Sequence, residues 1–164
     1  MVDATAREKT IAGSDNVSIA VALTATDLLF RYRPPAIFDH GQSIFVALGR
    51  HPETGGAVLP FAQNREGSTV FLPFKSDLLL TAEVRGDQIQ AFIRRWEHWR
   101  WSERQETEAF EVIAEDGALV FRIPRPLFGD ARTIDFVVYA KVPEANDGLG
   151  WLWGCSDRTI ESGV

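Results

Sequence analysis

Apolar and polar residues alternate along most of this chain with a period of two. Val17, Ile19, Val21 and Leu23 alternate with Ser18, Ala20, Ala22 and Thr24, and Leu28, Phe30 and Tyr32 alternate with Leu29, Arg31 and Arg33. On a pleated strand this spacing sends one set of side chains inward and the other outward. Both runs predict half-buried strands, the second stopped by Pro34-Pro35. Ser43 to Leu48 differs in being almost continuously apolar, as expected of a central strand covered on both faces. The turn residues His51-Pro52-Glu53-Thr54-Gly55-Gly56 end it.

Further strands are predicted over Val70 to Phe74, Asp77 to Val84, Gln88 to Trp96, Ala109 to Ile113, Ala118 to Ile123 and Thr133 to Val142. Gly86-Asp87, Glu115-Asp116-Gly117 and Gly129-Asp130 supply turns between them. Many short strands joined by turns predict an all-β fold, an antiparallel two-sheet β-sandwich of jelly-roll or immunoglobulin-like type with little helix. Helix signals are weaker. Ser102 to Ala114 has a capping-box-like start at Ser102 and Gln105 and competes as a helix with the strand at 109–113, and Pro126-Leu127-Phe128-Gly129 fits a single turn. The expected core is Val21, Phe30, Phe45, Val46, Leu79, Phe92, Phe121, Ile123, Phe136 and Val138. Without repeats or a long linker, residues 1–164 read as one domain, with 1–12 a loose N-terminal arm and 161–164 a second loose end.

Composition narrows the function classes. The 164 residues suffice for a self-supporting core, and a formal charge of -6 argues against general affinity for nucleic acid, which Lys and Arg drive by displacing counterions. Arg94, Arg95, Arg100 and Arg104 cluster, but Glu97, Glu103, Glu106 and Glu108 interleave them, which reads as a mixed, solvated edge. Cys155 stands alone, so neither an internal disulfide nor a cysteine-rich metal site is expected. The polar start, Met1 to Lys9, is unlike a secretion signal, and no apolar run approaches the ~20 residues needed to cross a bilayer. A soluble chain is expected, with no membrane or nucleic-acid partner and no compartment assigned.

The most unusual segment is Arg94-Arg95-Trp96-Glu97-His98-Trp99-Arg100-Trp101. If Glu97-His98 is a two-residue loop, Trp96 and Trp99 become cross-strand partners with Trp101 in phase; a four-residue loop pairs Trp96 with Trp101 instead. Indoles on one face offer apolar planes for the C–H faces of sugar rings, with Arg94, Glu97, His98 and Arg100 available for hydroxyls. The competing reading has the indoles closing an open end of the core. Trp151 and Trp153 repeat the arrangement, and Leu149 in phase with them favours a core role.

Other chemistry is sparse. His40, His51 and His98 are too far apart to read as a metal motif, and Asp15, Asp39, Asp116, Asp130, Asp147 and Asp157 sit near turns without calcium-loop spacing. Phosphate-binding loops, nucleophile elbows and Cys/His nucleophile arrangements are absent from the sequence. No metal, cofactor or catalytic residue is expected, and enzymatic activity is unsupported.

Taken in order, Ser43 to Gly56, Leu72 to Leu80, the hairpin Ala91 to Trp101, Gly117 to Gly129 and Thr133 to Ala140 resemble the β-sandwich accessory domains of bacterial amylases, glucodextranases and pullulanases. That group is related to family-nine-type carbohydrate-binding modules and DOMON-like domains. The resemblance implies noncatalytic binding of a carbohydrate, an α-glucan or related polysaccharide, beside a glycoside hydrolase catalytic domain. With it, Trp96, Trp99 and Trp101, assisted by Arg94, Glu97 and His98, become the expected carbohydrate-binding residues. Two alternatives stand beside this reading: a structural or protein-interaction domain packing on a partner or on itself, and a β-barrel enclosing a small apolar ligand.

Overall fold

The structure, a computed structural model, describes residues 9–14, 17–33, 42–51, 53–63, 69–129, 133–141 and 160–161. Its elements run β1 (Lys9–Ser14), β2 (Val17–Leu23), β3 (Asp27–Arg33), β4 (Gln42–Gly49), β5 (Gly56–Gln63), β6 (Thr69–Ser76), β7 (Leu78–Arg85) and β8 (Gln88–Glu97). They continue with β9 (Arg100–Trp101), β10 (Gln105–Glu106), β11 (Glu111–Glu115), β12 (Ala118–Pro124), the single helical turn α1 (Arg125–Phe128), β13 (Thr133–Lys141) and β14 (Ile160–Glu161). The predicted strands are all present within a few residues of their expected bounds. Gly129, at φ 60°, ends the turn predicted around Leu127.

One sheet has the order β1-β2-β3-β12-β11 and the other β10-β8-β7-β4-β13-β14, with β9 also paired to β8; β5 and β6 form a separate two-stranded unit. Every pairing is antiparallel. The fold is therefore all-β, and the two large sheets enclose one apolar cluster. Ile19, Val21, Leu28, Phe30, Tyr32, Leu119, Phe121 and Ile123 come from the first sheet; Ile44, Val46, Leu48, Leu78, Leu80, Ala82, Ile93, Phe136 and Val138 come from the second. Phe30 and Phe136 meet across the gap with ring centroids 5.0 Å apart.

All ten expected core residues are buried, but they do not share one core. Phe45 and Leu79 belong to a second cluster, with Ala47, Leu72 and Val137, and Phe74 and Trp101 pack against it. Because strand side chains alternate, this cluster lies on the opposite face of the second sheet from the main core. β4 is thus covered on both sides, as its unbroken apolar run predicted.

One expectation changes and one alternative falls away. Lys9 to Ala12, placed by sequence in a loose arm, belong to β1 and pair with β2. The helix considered over Ser102 to Ala114 does not form: Gln105–Glu106 pair with β8, and Glu111–Glu115 pair with β12. Ser102 does not cap a helix; its hydroxyl accepts from the Arg95 amide at 2.9 Å. Tertiary strand pairing outweighs local helix propensity there. Pro34-Pro35, Trp151, Trp153, Cys155, His40 and the aspartates 15, 39, 130, 147 and 157 lie outside the described residues.

A polar node locks one end of the sandwich. Asp77, 5% exposed, accepts from Arg50 Nε at 2.8 Å and from the Arg50 amide at 3.2 Å, while Arg50 Nη1 donates to the Leu127 carbonyl at 2.8 Å. The buried Ser76 hydroxyl donates to the Leu48 carbonyl at 2.9 Å. One ion pair therefore ties the ends of β4, β6 and β7 to α1.

Two stability measurements test this packing. Phe136→Ala removes a ring that bridges the sheets and should cost about 3–5 kcal/mol in urea unfolding. Tyr32 is 2% exposed and burial raises its phenol from the ordinary 10.0 to about 12. The folded state thus favours the protonated phenol: its contribution is complete below about pH 10 and is lost as pH rises towards about 12. Unfolding free energy should fall by about 2–3 kcal/mol across that window, and Tyr32→Phe should flatten the fall relative to the parent.

Candidate functional site

The tryptophan-rich segment folds as the hairpin of β8 and β9. Glu97 pairs with Arg100 and Trp96 with Trp101, leaving His98 and Trp99 as the two turn residues. Both have positive φ, 51° and 65°, the pattern of a type I′ turn. Such turns ordinarily use Asn-Gly, because a side chain crowds the backbone in this region. Histidine visits it with modest cost, whereas a bulky residue such as Trp does so rarely. The right-handed twist of the flanking strands selects the primed turn even so.

The pairing of Trp96 with Trp99 that a Glu97-His98 loop would give is not formed. The Trp96–Trp101 pairing forms instead, through a two-residue turn at His98-Trp99 and not the four-residue loop expected for it, and contacts made by Trp101 account for the choice. The Trp101 indole packs against the second apolar cluster, and its Nε1 donates to the Val58 carbonyl on β5 at 2.9 Å. Trp96 meets Trp101 edge-on, with centroids 5.6 Å apart and planes at 81°. Gly56, at the start of β5, lies directly beneath Trp96: a Cβ there would come within 2.5 Å of the ring. Two half-buried indoles thus clamp the β8–β9 hairpin to the β5–β6 unit. Among the three, Trp99 alone is free of the protein, 92% exposed at the tip.

Sequence had grouped Trp96, Trp99 and Trp101 as a stacking surface. The structure brings Trp96 and Trp101 together, but perpendicular to each other, and sets Trp99 apart from that pair. Glu97 and His98 are exposed beside Trp99, as is Arg100. Arg94 lies further back; its Nη1 donates to the Ser102 carbonyl at 3.1 Å, and burial, then the nearby Arg104 charge, lowers its pKa. That hydrogen bond ties Arg94 to the segment leaving the hairpin.

What sequence reading missed is the side-chain arrangement on the face behind the sheet, where Arg104 meets Phe92. Phe92, buried on this face of β8, carries the Arg104 guanidinium 3.9 Å above its ring, and Arg104 is also ion-paired to Glu83 on β7. The arginine cluster is therefore not held by the interleaved glutamates alone. The available signal was the pair Phe45 and Ala47 in β4, apolar residues facing away from the main core that had to be covered by something.

Among the described residues, no three His, Cys, Asp or Glu side chains are grouped to hold a metal ion, and no helix is long and apolar enough to cross a membrane. Comparison with protein-family models, with curated proteins and with solved structures found no match for the chain.

The strained turn makes a direct prediction. Replacing His98-Trp99 by Asn-Gly should raise stability by about 1–3 kcal/mol in thermal or urea unfolding, because the new residues accept positive φ readily and an exposed indole contributes little to folding. An unchanged or lowered stability would show that the turn stores no strain.

Proposed function

We propose that this chain is a noncatalytic binding domain for a carbohydrate, an α-glucan or related polysaccharide, with Trp99 as its stacking ring. The observation that carries the reading is the exposure of Trp99 on a turn whose backbone disfavours it: an indole held at such a position is retained against both solvation and local strain. Glu97, His98 and Arg100 next to it offer acceptors and donors for hydroxyl groups, while the ring offers the apolar plane. Trp96 and Trp101 act in this reading by anchoring the tip. The resemblance of the sequence segments, taken in order, to amylase-linked accessory domains supports the ligand class, and a neighbouring glycoside hydrolase domain is the partner it implies.

A protein-interaction role is the second reading, favoured by one specific feature. Among the described residues Trp99 is the one indole that projects, and a protruding tryptophan is also the shape of an interface anchor that fills a partner's pocket. The closed barrel has no such support, since the described strands form open sheets and the three indoles of the hairpin lie outside the main core.

Trp99→Ala separates these readings. Titration calorimetry with maltohexaose and affinity electrophoresis in soluble starch should show at least a tenfold loss of binding in the variant, with thermal unfolding unchanged or slightly improved. Equal binding by parent and variant, or no glucan binding by the parent, would remove the carbohydrate assignment to Trp99.

A further inference from the structure

The outer face of the second sheet holds an aromatic ring, Phe92, that lies beneath a partly exposed arginine side chain. Thr81 on β7 is the cross-strand neighbour of both Phe45 on β4 and Phe92 on β8. All three face away from the main core. Phe92 is closed off by the Arg104 guanidinium at 3.9 Å, and Arg104 is held there by Glu83, two residues along β7 from Thr81. Arg104 itself is 42% exposed and comes from the short segment between β9 and β10, so the side chain lying on the face of Phe92 is one that solvent reaches.

Two features distinguish this cover from an ordinary arginine stem lying on an aromatic surface. Thr81 is 3% exposed, and among the described residues its hydroxyl has no hydrogen-bond partner, a destabilising arrangement for a buried polar group. In addition, Arg94 is the next outward-facing residue along β8 after Phe92, and its guanidinium feels the like charge of Arg104. Exposed ion pairs and cation–π contacts are both weak, so lifting Arg104 from Phe92 is inexpensive. Lifting it uncovers an aromatic plane bordered by a hydroxyl, a carboxylate and two guanidinium groups.

We infer that Phe92 is a second stacking surface of the same binding domain, closed by Arg104 in the free protein and opened when a hydroxylated ring displaces that guanidinium. The inference rests on the carbohydrate reading above and deepens it, because it specifies an oligosaccharide. Phe92 and Trp96 are four residues apart on β8, roughly 13 Å at about 3.3 Å per residue, and Trp99 lies beyond Trp96. A ligand that engages both Phe92 and Trp99 must be several sugar rings long. The freed Glu83 carboxylate and the Thr81 hydroxyl are the groups that take up its hydroxyls.

The test compares maltose with maltohexaose on the full chain by titration calorimetry. Phe92→Leu should lower maltohexaose affinity about tenfold and leave maltose affinity unchanged. Glu83→Gln, which keeps a hydrogen-bonding side chain but removes the charge that holds Arg104, should raise maltohexaose affinity about threefold. The Arg104 Nε–H resonance should shift on addition of maltohexaose and not of maltose. If Phe92→Leu fails to fold, the Glu83→Gln affinity and the Arg104 resonance decide the matter. Unchanged affinity in a folded Phe92→Leu protein, no gain in Glu83→Gln, or a stationary Arg104 resonance would each overturn the second surface while leaving Trp99 in place. A parent that binds neither sugar overturns the carbohydrate reading and this inference together. Loss of binding in Phe92→Leu but not in Trp99→Ala would overturn only the role given to the hairpin tip.

Discussion

The structure depends on one strand being apolar on both faces. β4 sends Ile44, Val46 and Leu48 into the main core and Phe45 and Ala47 out of the other side. A sheet packed on one side only would leave Phe45 and Ala47, with Leu79 and Val137 beside them, against water. The first sheet satisfies one face. On the other, Leu72 and Phe74 of the β5–β6 unit and the Trp101 indole supply the cover. The position of the candidate binding hairpin follows from this second requirement: β9 is where it is because one of its side chains completes an apolar cover behind the sheet.

That coupling also holds in place the tip that carries the proposed stacking ring. Trp101 is bound to the Val58 carbonyl through Nε1, Trp96 fits against Gly56, and the Trp96 amide donates to the Asp77 carbonyl at 3.0 Å. Asp77 is in turn fixed by Arg50, which reaches α1. Backbone and side-chain contacts thus run from the sandwich end to the hairpin without an intervening loop. A turn with two non-glycine residues at positive φ persists only where its surroundings over-determine it, and these contacts do so.

Much of the fold was legible because period-two patterning is a direct record of which face is wet. The strand Asp27–Arg33 alternates clearly, and together with its partners β2 and β12 it buries the expected residues. Legibility fails where the partner is not implied by the pattern. Phe45, Leu79 and Phe92 are buried as expected, but period alone cannot say that they face a second cover and not the main core. Gln105–Glu106 and Glu111–Glu115 carry good helix formers, and only long-range pairing with β8 and β12 makes them strands. The hairpin register was undecidable for a similar reason. Both pairings satisfy the local sequence, and the Trp96–Trp101 pairing, reached through a two-residue turn at His98-Trp99, is held by a hydrogen bond from Trp101 to Val58, 43 residues away.

The same distinction separates the two kinds of tryptophan in one short segment. Counting indoles treats Trp96, Trp99 and Trp101 as equivalent, and strand phase sorts them only once the register is known. After that, the roles follow from geometry: an indole that finds an apolar surface and an acceptor for its N–H becomes part of the packing, as Trp101 does, whereas one in the turn has no surface to meet. Folding alone gives no reason to put a large apolar ring at Trp99, since a small residue would suit the backbone better and expose less apolar area to water. A residue that folding disfavours on two independent counts, at the end of a hairpin that folding holds firmly, points to recognition as the constraint that keeps it there.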